Sequence, residues 1–158
     1  MWVGDVTYLK IKGRWQYLAT VMDQYSRRII GWSLSSTRTT ELTRAALRYA
    51  LKKRKPKAGV IFHTDRGIEY TGHGFQRILT DNGIHHSVNR PGKCTDNASM
   101  ESFFHSLKAE LIRGTGFEDA QELRRSLSLY INTFYNEVRL HSGIGYKSPM
   151  KYELCTAR

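Results

Sequence analysis

A chain of 158 residues is about one domain, long enough to bury roughly two-thirds of its unfolded surface. Twenty-five Lys and Arg against 14 Asp and Glu give a net charge of +11, the footprint of a protein that meets a polyanion. The sequence has no long apolar run, basic amphipathic anchor or signal peptide. Cys94 and Cys155 lack metal-type spacing, so a membrane partner, a disulfide framework and a zinc site are all disfavoured, and a cytoplasmic nucleic-acid-binding protein is expected.

Three stretches rich in β-formers, residues 2–9, 15–22 and 28–34, are joined by short turns at Lys12-Gly13-Arg14 and Asp23 to Arg27, which predicts an antiparallel meander. Thr39 or Thr40 caps a helix running to about Lys53, with Leu42, Ala45, Ala46, Tyr49 and Ala50 inward. The cations from Lys52 to Lys57 suit the C-terminal end of that helix. Val60-Ile61-Phe62 is a short apolar run, read as a buried parallel strand. A second helix over 74–82 stops at Asn82-Gly83, and Ile84 to Val88 is a fifth strand. Asn89 to Thr95 is a mobile loop with Pro91 and Gly92. It leads into a helix with a stripe at Met100, Phe103, Phe104, Leu107 and Leu111, capped by Asp96 or Asn97. A last helix from Glu118 to Asn136 turns Leu123, Leu127, Tyr130, Ile131 and Phe134 inward, and residues 137–158 form a tail on a core of residues 1–136. The Tyr and Trp side chains are read as core. The order β-β-β-α-β-α-β-α-α is a single α/β domain with a mixed sheet.

Three carboxylates stand out. Asp5 lies inside the first strand among apolar residues, where a charge needs a partner or a cation. Asp65 follows the fourth strand at its carboxyl end, where open α/β sheets place their sites. Glu101, His105 and Lys108 stack on one helix face at i, i+4 and i+7. Gathered carboxylates repel one another, and a hard divalent cation relieves the repulsion. Two Mg²⁺ ions about 4 Å apart suit a phosphodiester displacement.

The motifs Trp2-Val3-Gly4-Asp5-Val6-Thr7, Asp23 with Ser26-Arg27 and Gly31-Trp32, and His63-Thr64-Asp65-Arg66-Gly67 occur in order. They are followed by Tyr70-Thr71, Asp96-Asn97-Ala98, Glu101-Ser102-Phe103-Phe104, Leu107-Lys108, Tyr135-Asn136, Arg139 with His141-Ser142, and Ser148-Pro149. Thirty-five residues separate Asp65 from Glu101. This ordered set resembles the integrase-type catalytic core of bacterial insertion-sequence transposases, specifically the insertion-sequence-three family, kin to retroviral integrases. The resemblance covers nearly the whole chain. It implies a ribonuclease-H-like fold: a five-stranded mixed sheet, three strands antiparallel and two added parallel, flanked by helices. It implies Asp5, Asp65 and Glu101 as a metal-binding DDE triad that takes Mg²⁺, two ions, with Mn²⁺ able to substitute. The implied reaction is nicking at transposon ends to free a 3′-hydroxyl, then its transfer into target DNA without a covalent protein–DNA intermediate.

Lys108 matches a basic residue that contacts the element's end in relatives. His105, Arg66, Lys93 and Arg139 are the other candidate DNA contacts. The implied partners are transposon-end and target DNA and further copies of the chain, in the bacterial cytoplasm at the nucleoid, with no membrane and no small-molecule substrate. Two departures from the family pattern are visible. Ile68 and Glu69 stand where relatives usually carry a serine and a glutamine, and Glu69 adds negative charge near the expected site. The chain begins four residues before Asp5, so the upstream helix-turn-helix region of relatives is expected to be absent. Two alternatives stay open: a catalytically silent DNA-binding or assembly fragment, and a metal nuclease that only hydrolyses.

Overall fold

In the computed structural model, residues 1–89 and 97–157 are described. The sheet has five strands in the order β3-β2-β1-β4-β5. Strands β1 (Trp2–Ile11), β2 (Arg14–Asp23) and β3 (Arg28–Ser35) form the antiparallel meander. Lys12 and Gly13 both take positive φ, 46° and 76°, the twist that a two-residue hairpin turn needs. Strands β4 (Ile61–Thr64) and β5 (His85–Val88) add in parallel at the other side of β1.

Alternation along β1 sends its side chains into two cores. Val3, Leu9 and Ile11 join Leu18, Met22, Ile29 and Leu34 on one face, covered by helices α4 (Ala98–Leu107) and α5 (Ala120–Ser128). Trp2, with Ala19, Val21, Ile30 and Phe62, packs on the other face against α1 (Thr40–Arg54), α2 (Ile68–Thr71) and α3 (His73–Asp81). Two glycines permit this closeness. A Cβ on Gly31 would stand 2.3 Å from the Ala46 carbonyl oxygen of α1, and one on Gly4 would stand 2.5 Å from the Phe62 ring.

Several local expectations change. Thr39 and Asn97 do occupy N-cap positions, but neither side chain makes a capping bond. Asp96 and the rest of residues 90–96, which include all of the predicted loop but Asn89, lie outside the described residues. Tyr49 faces solvent, 43% exposed, because the buried face of α1 runs through Leu42, Thr43, Ala46, Leu47 and Ala50. Both late helices widen into π-helical segments, Lys108–Ile112 and Leu129–Val138. The extra residue per turn rotates the second face, so Tyr135 and Asn136 are buried and Phe134 is 41% exposed.

The tail contains a further helix, α6 (Pro149–Thr156), started by Ser148 capping the Lys151 N–H and by Pro149 at its first turn. Glu153 of α6 accepts hydrogen bonds from Ser26, Arg28 and Arg54, which pins α6 to β3 and α1. No helix among the described residues is long and apolar enough to cross a membrane.

Candidate active site

The site begins where two parallel strands part. β1 and β4 pair only at Trp2↔Phe62 and Val3↔His63. Continuing that register two residues sets Asp5 opposite Asp65, just past the end of β4. Neighbouring strands lie about 4.8 Å apart, and residues in register on parallel strands share a face. Both carboxylates therefore belong to the face that α4 covers. Each is also steadied locally: Asp5 Oδ1 accepts from the Val6 N–H at 2.8 Å, and Asp65 Oδ1 accepts from the Gly67 N–H at 2.8 Å.

Glu101 is brought toward the same region by its helix. Asp5 pairs with Thr20 on β2, and the Thr20 hydroxyl donates to the Met100 sulfur at 3.1 Å. Met100, Phe103, Phe104 and Leu107 bury the other side of α4, which leaves Glu101 exposed on the first turn. The electrostatics register this arrangement. Burial raises the Asp5 carboxyl to about 6; the Val6 N–H opposes the rise, Asp65 adds to it, Arg38 opposes it and Glu101 adds a smaller part. Among the described residues, no three His, Cys, Asp or Glu side chains are gathered closely enough to form a ready-made metal cage.

Asp65 stands on a built support. Gln76 donates to Nδ1 of His86, so the neutral imidazole carries its proton on Nε2 and donates to the Thr64 hydroxyl, 2.9 Å away. Burial and neighbouring His63 both hold His86 below its usual pKa, in keeping with that neutral form. Thr64 in turn donates to the Asp65 carbonyl at 2.8 Å. His63 is buried and bonds to Ser87 and Asn89 on the neighbouring strand side, a packed strand residue.

Glu69 does not leave a free negative charge at the site. Its carboxylate is 3% exposed, turned under Gly67, and accepts from Nε and Nη2 of Arg38 at 3.0 and 2.5 Å. Arg38 went unremarked in the sequence. Only Glu69 itself, acidic where relatives carry a glutamine, hinted at a partner; the burial that requires the cation, and the cation's place 31 residues away, come from the fold.

The candidate DNA contacts are dispersed. His105 is exposed on the Glu101 face. The Lys108 ammonium sits 5.2 Å from the centre of the Tyr8 ring. Arg66 is exposed and donates from Nε to the Asn89 carbonyl. Arg139 is engaged with Glu110 through Nε and Nη2 and donates to Ser106. Lys93 lies outside the described residues.

Solved structures with this architecture define the class. The chain superposes on the catalytic core domain of HTLV-2 integrase in complex with magnesium, in its trimeric form, with a TM-score of 0.70 at 19% identity, covering 96% of this chain and 93% of that one. It superposes on a simian T-cell lymphotropic virus intasome chain with a TM-score of 0.78 at 20% identity, covering 96% and 52%. The fold is the ribonuclease-H-like fold of integrase catalytic cores.

One model of the integrase core domain matches residues 1–94 and a second matches residues 82–149, and the chain belongs to this integrase core domain family. It is 43% identical over 153 residues to the transposase for insertion sequence element IS904 of Lactococcus lactis, covering 97% of this chain and 60% of that protein. It is 44% identical over 152 residues to transposase InsF for insertion sequence IS3A of Escherichia coli, covering 96% and 53%. The chain thus spans a little over half the length of these curated relatives.

Proposed function

We propose that this chain is the catalytic part of a transposase, a polynucleotidyl transferase that nicks element ends and transfers the resulting 3′-hydroxyl into target DNA. The observation that carries the reading is the parting of β1 and β4, whose continued register sets Asp5 beside Asp65. The Mg²⁺ reading is supported by the donor set, which consists of carboxylate oxygens whose mutual repulsion at Asp5 a divalent cation would relieve. Asp5, Asp65 and Glu101 would hold the metal. When bound, it would supply Lewis-acid activation of an attacking oxygen and stabilisation of the leaving one.

The chain's own residues do the rest. Asp5 and Asp65 are fixed by backbone N–H donors and strand register. Glu101 is exposed and completes the set by side-chain rotation from α4. His105 and Lys108, further along the same face, meet phosphates of the bound strand. The excess of cations holds the duplex through its backbone, so affinity falls steeply with salt. Relatives named as transposases support DNA ends and target as substrates, and the trimeric and dimeric forms of HTLV-2 integrase support assembly of several copies.

The deciding test is strand joining on a labelled, pre-cut duplex end with Mg²⁺ or Mn²⁺, comparing the native chain with Glu101→Gln. Joined product that disappears in the variant is expected. Cleavage without joining would instead favour a hydrolytic nuclease, and equal product from both chains would remove Glu101 from the chemistry.

A further inference from the structure

The β1–β2 hairpin carries a feature that the metal site does not use. From Gly4 to Ile11, β1 has no strand partner on its β4 side among the described residues, so the hairpin projects past the site. On the projecting part, Tyr8 and Trp15 are 55% and 47% exposed, with ring centroids 5.2 Å apart in edge-to-face contact. The Lys10 ammonium lies 5.2 Å from the Trp15 ring centre, and Lys108 lies 5.2 Å from that of Tyr8. Lys108 comes from the α4 segment, the helix that packs on the opposite face of β1. Residues 6–18 include Lys10, Lys12 and Arg14 and no acid.

We propose that Tyr8 and Trp15 form a stacking platform for an unpaired nucleobase of the DNA strand that enters the site, with Lys10 and Lys108 holding the adjoining phosphates. Magnitudes favour the exchange this requires. A cation over an exposed ring is worth about two- to fivefold in an equilibrium, whereas a stacked base is worth about tenfold or more. The base displaces the ammonium, and the released ammonium moves to phosphate, where it is better matched. The platform lies across the free edge of β1 from the site. Tyr8 is three residues beyond Asp5, about 10 Å along the strand and on the opposite face, and Lys108 already spans that edge from the α4 side to reach the Tyr8 ring. A duplex end opened by a few nucleotides and led over the edge would set a free base on Tyr8 and leave the following phosphates on the carboxylate side.

This inference rests on the DNA-processing reading of the site, and its test separates the two. Binding is measured in EDTA, so that no chemistry contributes, for a duplex with a three-nucleotide single-stranded tail and for the same duplex blunt. The native chain should prefer the tailed DNA by about tenfold, and Tyr8→Leu with Trp15→Leu should abolish that preference. Tyr8→Phe and Trp15→Phe, which keep the rings, should retain it. Trp15 fluorescence should be quenched by the tailed DNA and not by the blunt, and the quenching should vanish in Trp15→Phe. Equal binding of both duplexes by the native chain overturns the platform and leaves the carboxylate site untouched. Binding of neither overturns both readings. Loss of tail preference in the two phenylalanine variants overturns stacking as its cause.

Discussion

Replacing Arg38 by Ala tests whether the Arg38–Glu69 pair is a structural requirement of this chain. Glu69 is 3% exposed and takes two hydrogen bonds from the guanidinium, whose own side chain is 42% exposed. Removing one partner of a buried pair costs about 3–5 kcal/mol when the other is left without compensation. Water reaches Arg38, so part of that cost is screened, and about 2 kcal/mol is the expected loss. For a domain of this size that lowers Tm by roughly 4–8 °C. Glu69→Gln keeps an acceptor for Arg38 and should cost only about 1 kcal/mol. The double variant, in which no buried charge is stranded, should be more stable than the sum of the single losses by about 1 kcal/mol or more. Thermal and urea unfolding of the four proteins measures this coupling. The same cation also pulls the Asp5 carboxyl down, so Arg38→Ala should shift the Asp5 titration to higher pH. A coupling within about 0.3 kcal/mol of zero would refute the argument, since independent sites add to that precision.

Further outcomes follow from the same geometry. Asp5 titrates near 6 when folded and near 4 when unfolded, so its charge destabilises the metal-free fold above that window, and the penalty vanishes as pH falls through it. Asp5→Asn should therefore be more stable than the native chain by about 2–3 kcal/mol at pH 7.5 without metal, with the gap closing by about pH 4, and should lose the rise in Tm that Mg²⁺ gives the native chain. Burial pushes Glu153 up, but hydrogen bonds from Arg54, Ser26 and Arg28 outweigh it and hold the carboxyl below its ordinary value. Its contribution is present above the unfolded pKa of about 4.3 and is lost as pH falls through the lower folded value, so Glu153→Gln should be clearly less stable at pH 7 and nearly equal in strong acid. Gly31→Ala puts a methyl group against the α1 backbone and should cost about 3 kcal/mol, read as a Tm lower by roughly 6–12 °C; a shift under 2 °C would show that α1 can move away.

The strands were legible because β-branched and aromatic runs alternate between short turns, and their bounds moved by only a residue or two. The candidate carboxylates stood out for a different reason: Asp5 interrupts an apolar strand run, Asp65 follows directly on the end of another strand, and Glu101 falls in an ordered set of motifs. What sequence could not yield depends on tertiary register. Phe134 and Tyr135 exchange places through a π-helical segment that no period of 3.6 encodes. The helix at residues 68–71 is too short to leave a periodic trace, and α6 in the tail shows only its Ser148-Pro149 start. Tyr8 and Trp15, read as core, are half exposed because the hairpin runs past its neighbouring strand, a consequence of strand lengths rather than of composition. Arg38 and Glu69 meet only after the fold has closed.

The clasp at Glu153 bears on the order in which the chain assembles. Arg28 and Arg54 lie in the first half of the sequence, and their shared counter-charge arrives 125 and 99 residues later. During synthesis the meander and α1 emerge well before α6, and the corner between them carries two cations with only Asp23 beside Arg54. β3 is an edge strand of the sheet. Charge standing at such an edge discourages another nascent chain from pairing with it. In the folded domain Glu153 neutralises that charge, so the same two arginines that stand at the edge of the emerging meander become the anchor of α6.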